Sequence, residues 1–254
     1  MRPLILVSND DGFNYPGVKA LAQVAREFGE VVVVAPLLHQ SAKASSITIA
    51  EPLRAIKKQE EPGFTVYAVN GTPADCTKLG LGQLLEGRKV DLVLSGINHG
   101  HNLGNNVLYS GTIGVVLEGV MAGINSIAFS YDDYHFDTDF SPCMPYIRSI
   151  IDSVLKNGLP QDVCLNVNFP KLDQPFKGIK VTSSAKGVWT NTCDHRIDPR
   201  GIDYYWMLGS YDERNPDDNT TDMYWARQGY ATVTPIHIDQ TDFDSMTAVA
   251  KLLE

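Results

Sequence analysis

Residues 3–12 read Pro3-Leu4-Ile5-Leu6-Val7-Ser8-Asn9-Asp10-Asp11-Gly12. The apolar run Leu4–Val7 has strand length and no polar alternation, the pattern of a strand buried on both faces in a parallel sheet. In open α/β sheets, ligands sit at the C-terminal ends of such strands. The reading therefore puts Asn9, Asp10 and Asp11 at the mouth of the sheet. Adjacent carboxylates repel each other unless a cation lies between them or one takes a proton. The pair points to a hard divalent metal; a helix N-cap with a solvated neighbour is the competing reading of the same residues.

Working outward, strand-like and helix-like stretches alternate. Pro16–Phe28 carries Val18, Leu21, Ala22, Val24 and Ala25 at helical spacing, with proline near its start. Val31–Ala35, Val90–Ser95, Ile127–Ser130 and Val163–Phe169 read as further strands, and Pro73–Leu85, Thr112–Ala122 and Tyr146–Lys156 as helices. The alternation predicts an α/β fold, a Rossmann-like, doubly wound, mostly parallel sheet with helices on both faces. Ser46–Ala55 and Phe64–Val69 are expected to pair as an edge hairpin at about 45–70. The catalytic core is assigned to residues 1–185. Residues 186–254 hold all three tryptophans, Trp189, Trp206 and Trp225, and read as a β-hairpin arm for oligomerisation. A two-stranded ribbon is marginal alone, so its aromatics need the main domain or a second subunit to pack on. A closing helix, Asp242–Leu253, puts Phe243, Met246, Val249, Ala250 and Leu253 on one face, with Asp242 or Asp244 as its cap.

Composition narrows the function. The net charge of −9 argues against a nucleic-acid polymer or an anionic membrane as partner. It also requires local reversal of the field if the substrate is an anion, which a bound metal would provide. The four cysteines, Cys76, Cys143, Cys164 and Cys193, lie far apart and read as buried free thiols in a reducing compartment. The first apolar run is too short for a signal-peptide core, and no segment reaches membrane-spanning length. The expected location is the cytoplasm.

Further chemistry-bearing segments fall at other strand ends. His39-Gln40-Ser41 follows the second strand, and Asn98-His99-Gly100-His101-Asn102 follows the strand at 90–95. Ser41 and Asn98 offer neutral oxygens beside Asp10 and Asp11, a set suited to Mg²⁺ or Mn²⁺ with positions left for water and substrate. Ser110-Gly111-Thr112 opens a helix and reads as an anion cradle, with glycine admitting close approach and free N–H groups pointing outward; a plain Ser or Thr cap is the alternative. Of His39, His99 and His101, none is read as a metal ligand. His101 or His99 is a candidate proton donor.

Taken together, Ser8-Asn-Asp-Asp-Gly12, Val34-Ala-Pro36 with Gln40-Ser41, Asn70-Gly-Thr-Pro-Ala-Asp-Cys76, Asp91 to Gly100, Tyr109 to Gly114 with Glu118-Gly119, and Gly229 to Pro235 with Asp239 resemble the SurE family of metal-dependent 5′/3′-nucleotidases. The motifs occur in order over nearly the whole chain. The resemblance implies a swapped C-terminal arm in a homodimer or homotetramer. It also implies one divalent cation per subunit on Asp10, Asp11, Ser41 and Asn98, and a phosphate against Asn9, Ser110, Gly111 and Thr112. The expected reaction is hydrolysis of a nucleoside monophosphate to nucleoside and phosphate, with short polyphosphate as an extension. Water, its pKa lowered by the cation, would attack phosphorus in line with the leaving ribose oxygen. Asp10, Asp11 and Asn9 are the catalytic candidates, Asp11 orienting or deprotonating the water. Where family members carry glycine after the serine ligand, this chain has Ala42 and then Lys43, which puts loop shape and substrate preference in question. Two rivals stand beside this reading: a covalent phosphatase with Asp10 or Asp11 as nucleophile, and a non-enzymatic phospho-acceptor signalling module.

Overall fold

A computed structural model describes residues 2–254. The opening run forms β1, Leu4–Ser8, buried at every position. It is followed by α1, Pro16–Ala25, and β2, Glu30–Pro36. An edge hairpin comes next: β3, Ala55–Glu61, and β4, Phe64–Val69. The helix α2, Pro73–Leu79, runs on into a π turn, and β5, Leu92–His99, leads to α3, Gly111–Met121. Then come β6, Ser126–Tyr131, α4, Met144–Asn157, β7, Val163–Phe169, and the short β8, Ile179–Val181. The remainder forms β9, Gly187–Thr190, β10, Cys193–Ile197, β11, Asp203–Met207, β12, Ser210–Glu213, α5, Asp222–Arg227, β13, Ala231–His237, and α6, Met246–Leu252.

Nine strands make one sheet in the order β3-β4-β2-β1-β5-β6-β7-β13-β8. The six from β4 to β7 run parallel, while β3 and β13 are antiparallel to their neighbours β4 and β7. The helices α1 and α4 pack together on one face, over a core that includes Ile5, Val7, Leu94, Phe129 and Ile151; α2 and α3 cover the other. The fold is α/β and doubly wound, as expected. From β1 the chain builds outward through β2, then crosses to β5 on the other side, so the topological switch point lies between β1 and β5. The ends of those two strands carry Asn9–Asp11 and Asn98–His99.

Three expectations need correction. Ser46–Ala55 is not a strand: Thr72 Oγ1 donates to the Ser46 carbonyl, and Asp75 accepts from the main chain and hydroxyl of Thr48, so helix-terminus side chains take the bonds a sheet would have supplied. The hairpin's outer strand is instead the charged stretch Lys57-Lys58-Gln59-Glu60-Glu61, a composition that discourages a further strand from adding to the edge. The segment 186–254 is not all arm. The β9–β12 and β10–β11 ribbons form two small sheets of their own, but β13 returns to the main sheet and α5 caps onto Thr221. Cys193 is exposed on the arm, whereas Cys76, Cys143 and Cys164 are buried free thiols. The closing helix α6 buries none of its residues, and Asp242 closes the turn before it by accepting from Ser245.

Candidate active site

Asp10 leaves the end of β1 pointing at the start of α3. It is 5% exposed, and Thr112 Oγ1 donates to its Oδ1 at 2.6 Å. A Cβ on Gly111 would stand 2.8 Å from the Asp10 Cβ and 3.1 Å from its Oδ2, so only glycine lets the helix terminus come this close. Ser110 is the N-cap and its Oγ accepts from the Ile113 amide. Ser110 thus caps the helix, and Gly111 and Thr112 open it directly beside Asp10. Burial, followed by the neighbouring charge of Asp11, pushes the Asp10 carboxyl up to about 6. No Lys or Arg pairs with Asp10 or Asp11 among the described residues.

Asp11 is gripped by histidines. The His99 main-chain amide and ring Nδ1 donate to its Oδ2 at 3.2 and 3.1 Å, and the His39 ring lies 3.5 Å from its Oδ1. The other nitrogen of His39 faces Ser41 Oγ at 2.5 Å. With His39 Nδ1 protonated toward Asp11, its Nε2 accepts the Ser41 proton, which leaves the serine's lone pairs free. His39 stacks on Tyr15, and His99 meets Tyr15 and Phe140 edge-on. Asn98 Nδ2 donates to the Gly100 carbonyl at 2.8 Å, which turns its Oδ1 toward Thr112 at 3.4 Å.

One cavity of about 480 Å³ has Asp10, Ser41, Asn98 and Ser110 on its wall. Three of the four expected ligands thus share an open space with one end of the expected phosphate cradle, and Asp11 lies just behind. The donor set consists of one buried carboxylate, a second beside it, a hydroxyl with free lone pairs and an amide oxygen. That chemistry fits a hard divalent cation. Asn9 is fully buried beside this pair of carboxylates. Its side chain accepts from the Gly12 amide and donates to the Gly12 carbonyl, so it holds the turn that presents Asp10 and Asp11. Lys43 does not line the cavity, whereas Ala42 does, in a left-handed conformation at φ 58°.

His101, a candidate proton donor in the sequence, and Asp222, which the sequence did not mark, both matter here. His101 lines the cavity, and its Nδ1 accepts from the Leu103 amide at 3.3 Å and faces the Asn106 amide group at 3.5 Å. With Nδ1 accepting there, a ring proton sits on Nε2 and makes it a hydrogen-bond donor. Asp222 is fully buried and accepts from the amides of Gly104, Ala185 and Met223. It ties the loop after Asn98 to the base of the arm. Burial pushes its carboxyl up, and the three amides oppose that shift. A larger cavity, about 820 Å³, opens near Arg2, Leu4 and Asn125 at the N-terminal ends of β1 and β5. Within it Arg88 pairs with Glu30 and Lys89 with Asp91, and it shares no lining residue with the cavity above.

The chain is similar to several known proteins. The family model described as Survival protein SurE matches residues 5–191. The 5′-nucleotidase SurE of Bacteroides thetaiotaomicron is 44% identical over 260 residues, covering 100% of this chain and 98% of its own. That of Phocaeicola vulgatus is 42% identical over 245 residues, covering 96% and 95%. The crystal structure of the Sure protein from Aquifex aeolicus superposes with a TM-score of 0.84 at 39% identity, covering 99% of this chain and 100% of that one.

Proposed function

Because the chain belongs to the SurE family, we propose that it is a 5′-nucleotidase, a phosphomonoesterase that releases phosphate from nucleoside monophosphates. The observation that carries this reading is the meeting of Asp10, Thr112, Asn98 and the α3 terminus at the switch point of the sheet. One divalent cation per subunit, Mg²⁺ or Mn²⁺, held by Asp10, Asp11, Ser41 and Asn98, would supply positive charge to the phosphoryl group and an activated water.

The chain's own groups do the rest. The amides of Gly111 and Thr112 at the positive end of α3 bind the equatorial phosphoryl oxygens, where charge spreads in the transition state. Asp11 orients the attacking water and takes its proton, held in place by His99. Its Oδ1, with only the long 3.5 Å approach of His39, is the freer oxygen for that work. His101 offers its Nε2–H to the substrate from the cavity wall. Short polyphosphate, which presents the same phosphoryl oxygens, is a further substrate on this reading.

We also assign the arm to assembly of a homodimer or homotetramer. Ile202, Tyr205 and Trp206 are exposed on the β10–β11 ribbon, and Leu252 on α6 with Phe243 and Leu253 flanking it, an apolar area that a second copy would cover. No described helix is long and apolar enough to cross a membrane. A cytoplasmic location accords with four unpaired cysteines. The test is phosphate release from a panel of 5′- and 3′-nucleoside monophosphates and tripolyphosphate, each with Mg²⁺, with Mn²⁺ and with excess chelator. The proposal expects metal-dependent release from the 5′-nucleotides. Release that persists in chelator, or none from any nucleotide, overturns it.

A further inference from the structure

The cavity that holds Asp10 has a second end that phosphate chemistry does not use. Beyond His101 its wall turns apolar, with Trp189, Met207 and Leu208 from the arm and Tyr134 from the loop after β6. These side chains stay open: Trp189 is 38% exposed, Tyr134 70% and Met207 76%. Large apolar groups left bare inside one continuous pocket, beside convergent polar groups, mark where the apolar part of a ligand lies.

The indole of Trp189 is pinned. Its Nε1–H donates to Asn106 Oδ1 at 3.0 Å, and its ring meets Tyr211 edge-on at 5.8 Å. Asn105 Nδ2 donates to the Gly187 carbonyl at 3.0 Å, joining β9 to the loop that leads into Ser110. One short segment, 105–110, therefore holds both the phosphate cradle and the indole. Tyr134 is seated just as closely: a Cβ on Gly100 would strike its ring.

Resting on the nucleotidase reading, we propose that Trp189 is the nucleobase-stacking residue of this site, so that the arm supplies substrate specificity as well as any subunit contact. A flat aromatic face held at a fixed distance from a phosphate cradle suits a planar base, and stacking is sequence-tolerant because every base has such a face. The larger ring system of a purine covers more of the indole, so purine nucleotides are favoured over pyrimidine nucleotides. The phosphate end, where Asp10 and the α3 amides lie, is indifferent to the base.

The experiment compares kcat/KM for adenosine 5′-monophosphate with that for ribose 5-phosphate, the same ester without the base, in the full-length protein. Wild type is expected to favour the nucleotide. In Trp189→Ala the ratio of the two kcat/KM values should fall by about fivefold to a hundredfold, the range for loss of one stacked base. Trp189→Phe should keep most of the ratio. Should Trp189→Ala not fold, Trp189→Leu carries the same expectation, since it keeps apolar bulk without a π face. An unchanged ratio in these variants overturns the proposal, whether or not their oligomeric mass shifts. So does a wild type that shows no preference for the nucleotide. A wild type that hydrolyses neither ester refutes the nucleotidase reading itself, a distinct result.

Discussion

Replacing Asp10 with asparagine should stabilise the metal-free protein while abolishing its activity. In the folded chain the Asp10 carboxyl is raised from its ordinary 3.8 to about 6, by burial and then by Asp11. A raised carboxyl means the native state holds its proton more tightly than the unfolded chain does. Native stability is therefore lost as pH climbs from about 4 to about 6 and stays lost above that. At about 1.4 kcal/mol per pH unit of difference, the ionised group costs the fold about 3 kcal/mol at pH 7. Asparagine keeps an oxygen for Thr112 Oγ1 and removes the charge. In excess chelator at pH 7, urea unfolding should thus show Asp10→Asn about 3 kcal/mol more stable than wild type, and the two should converge near pH 4. Saturating Mn²⁺ should stabilise wild type alone, by about 2.7 kcal/mol at a hundredfold excess over Kd. Turnover of the variant should fall by at least about 10²-fold, by analogy with loss of one transition-state stabilising donor. Equal stabilities at pH 7 in chelator, or a difference that does not change with pH, would refute the reasoning.

Other perturbations reach the parts that position this carboxylate. Gly111→Ala drives a methyl against Asp10 and Pro73 and should lower stability by about 1–3 kcal/mol, with turnover falling further than nucleotide affinity; urea unfolding and steady-state kinetics separate the two. Asp222→Ala leaves the buried amides of Gly104, Ala185 and Met223 without their acceptor and should cost about 3 kcal/mol or more. It should also raise KM more than it lowers kcat, because it frees the loop that carries His101. Trp206→Glu puts a charge on the exposed face of the β10–β11 ribbon and should reduce the mass seen by light scattering; an unchanged mass would remove the ribbon from the subunit interface.

Much of this site could be read in the chain because its parts are local. Four apolar residues and two carboxylates place Asp10 at a strand end, and Ser110-Gly111-Thr112 announces a helix start. What sequence could not supply was the pairing of segments far apart. Thr112 and Asp10 are 102 residues apart, yet share a 2.6 Å hydrogen bond. Nothing in the neighbouring sequence marks Asp222, whose acceptor role toward Gly104 spans 118 residues. The tautomer of His101 depends on the Leu103 amide, a backbone direction that composition does not encode. Ser46–Ala55 misled for a related reason, since its β-branched residues suggest a strand while Thr72 and Asp75 claim its backbone. The apolar face of α6 was visible as a pattern, but it meets no core in this chain, and its meaning belongs to the assembly.

Calorimetric titration of metal-stripped protein with Mn²⁺ tests the central claim most directly, since everything else depends on a cation among Asp10, Asp11, Ser41 and Asn98. The account predicts one ion per chain in wild type and no detectable binding in Asp10→Asn. Absence of binding to wild type, or equal binding to the variant, would contradict it.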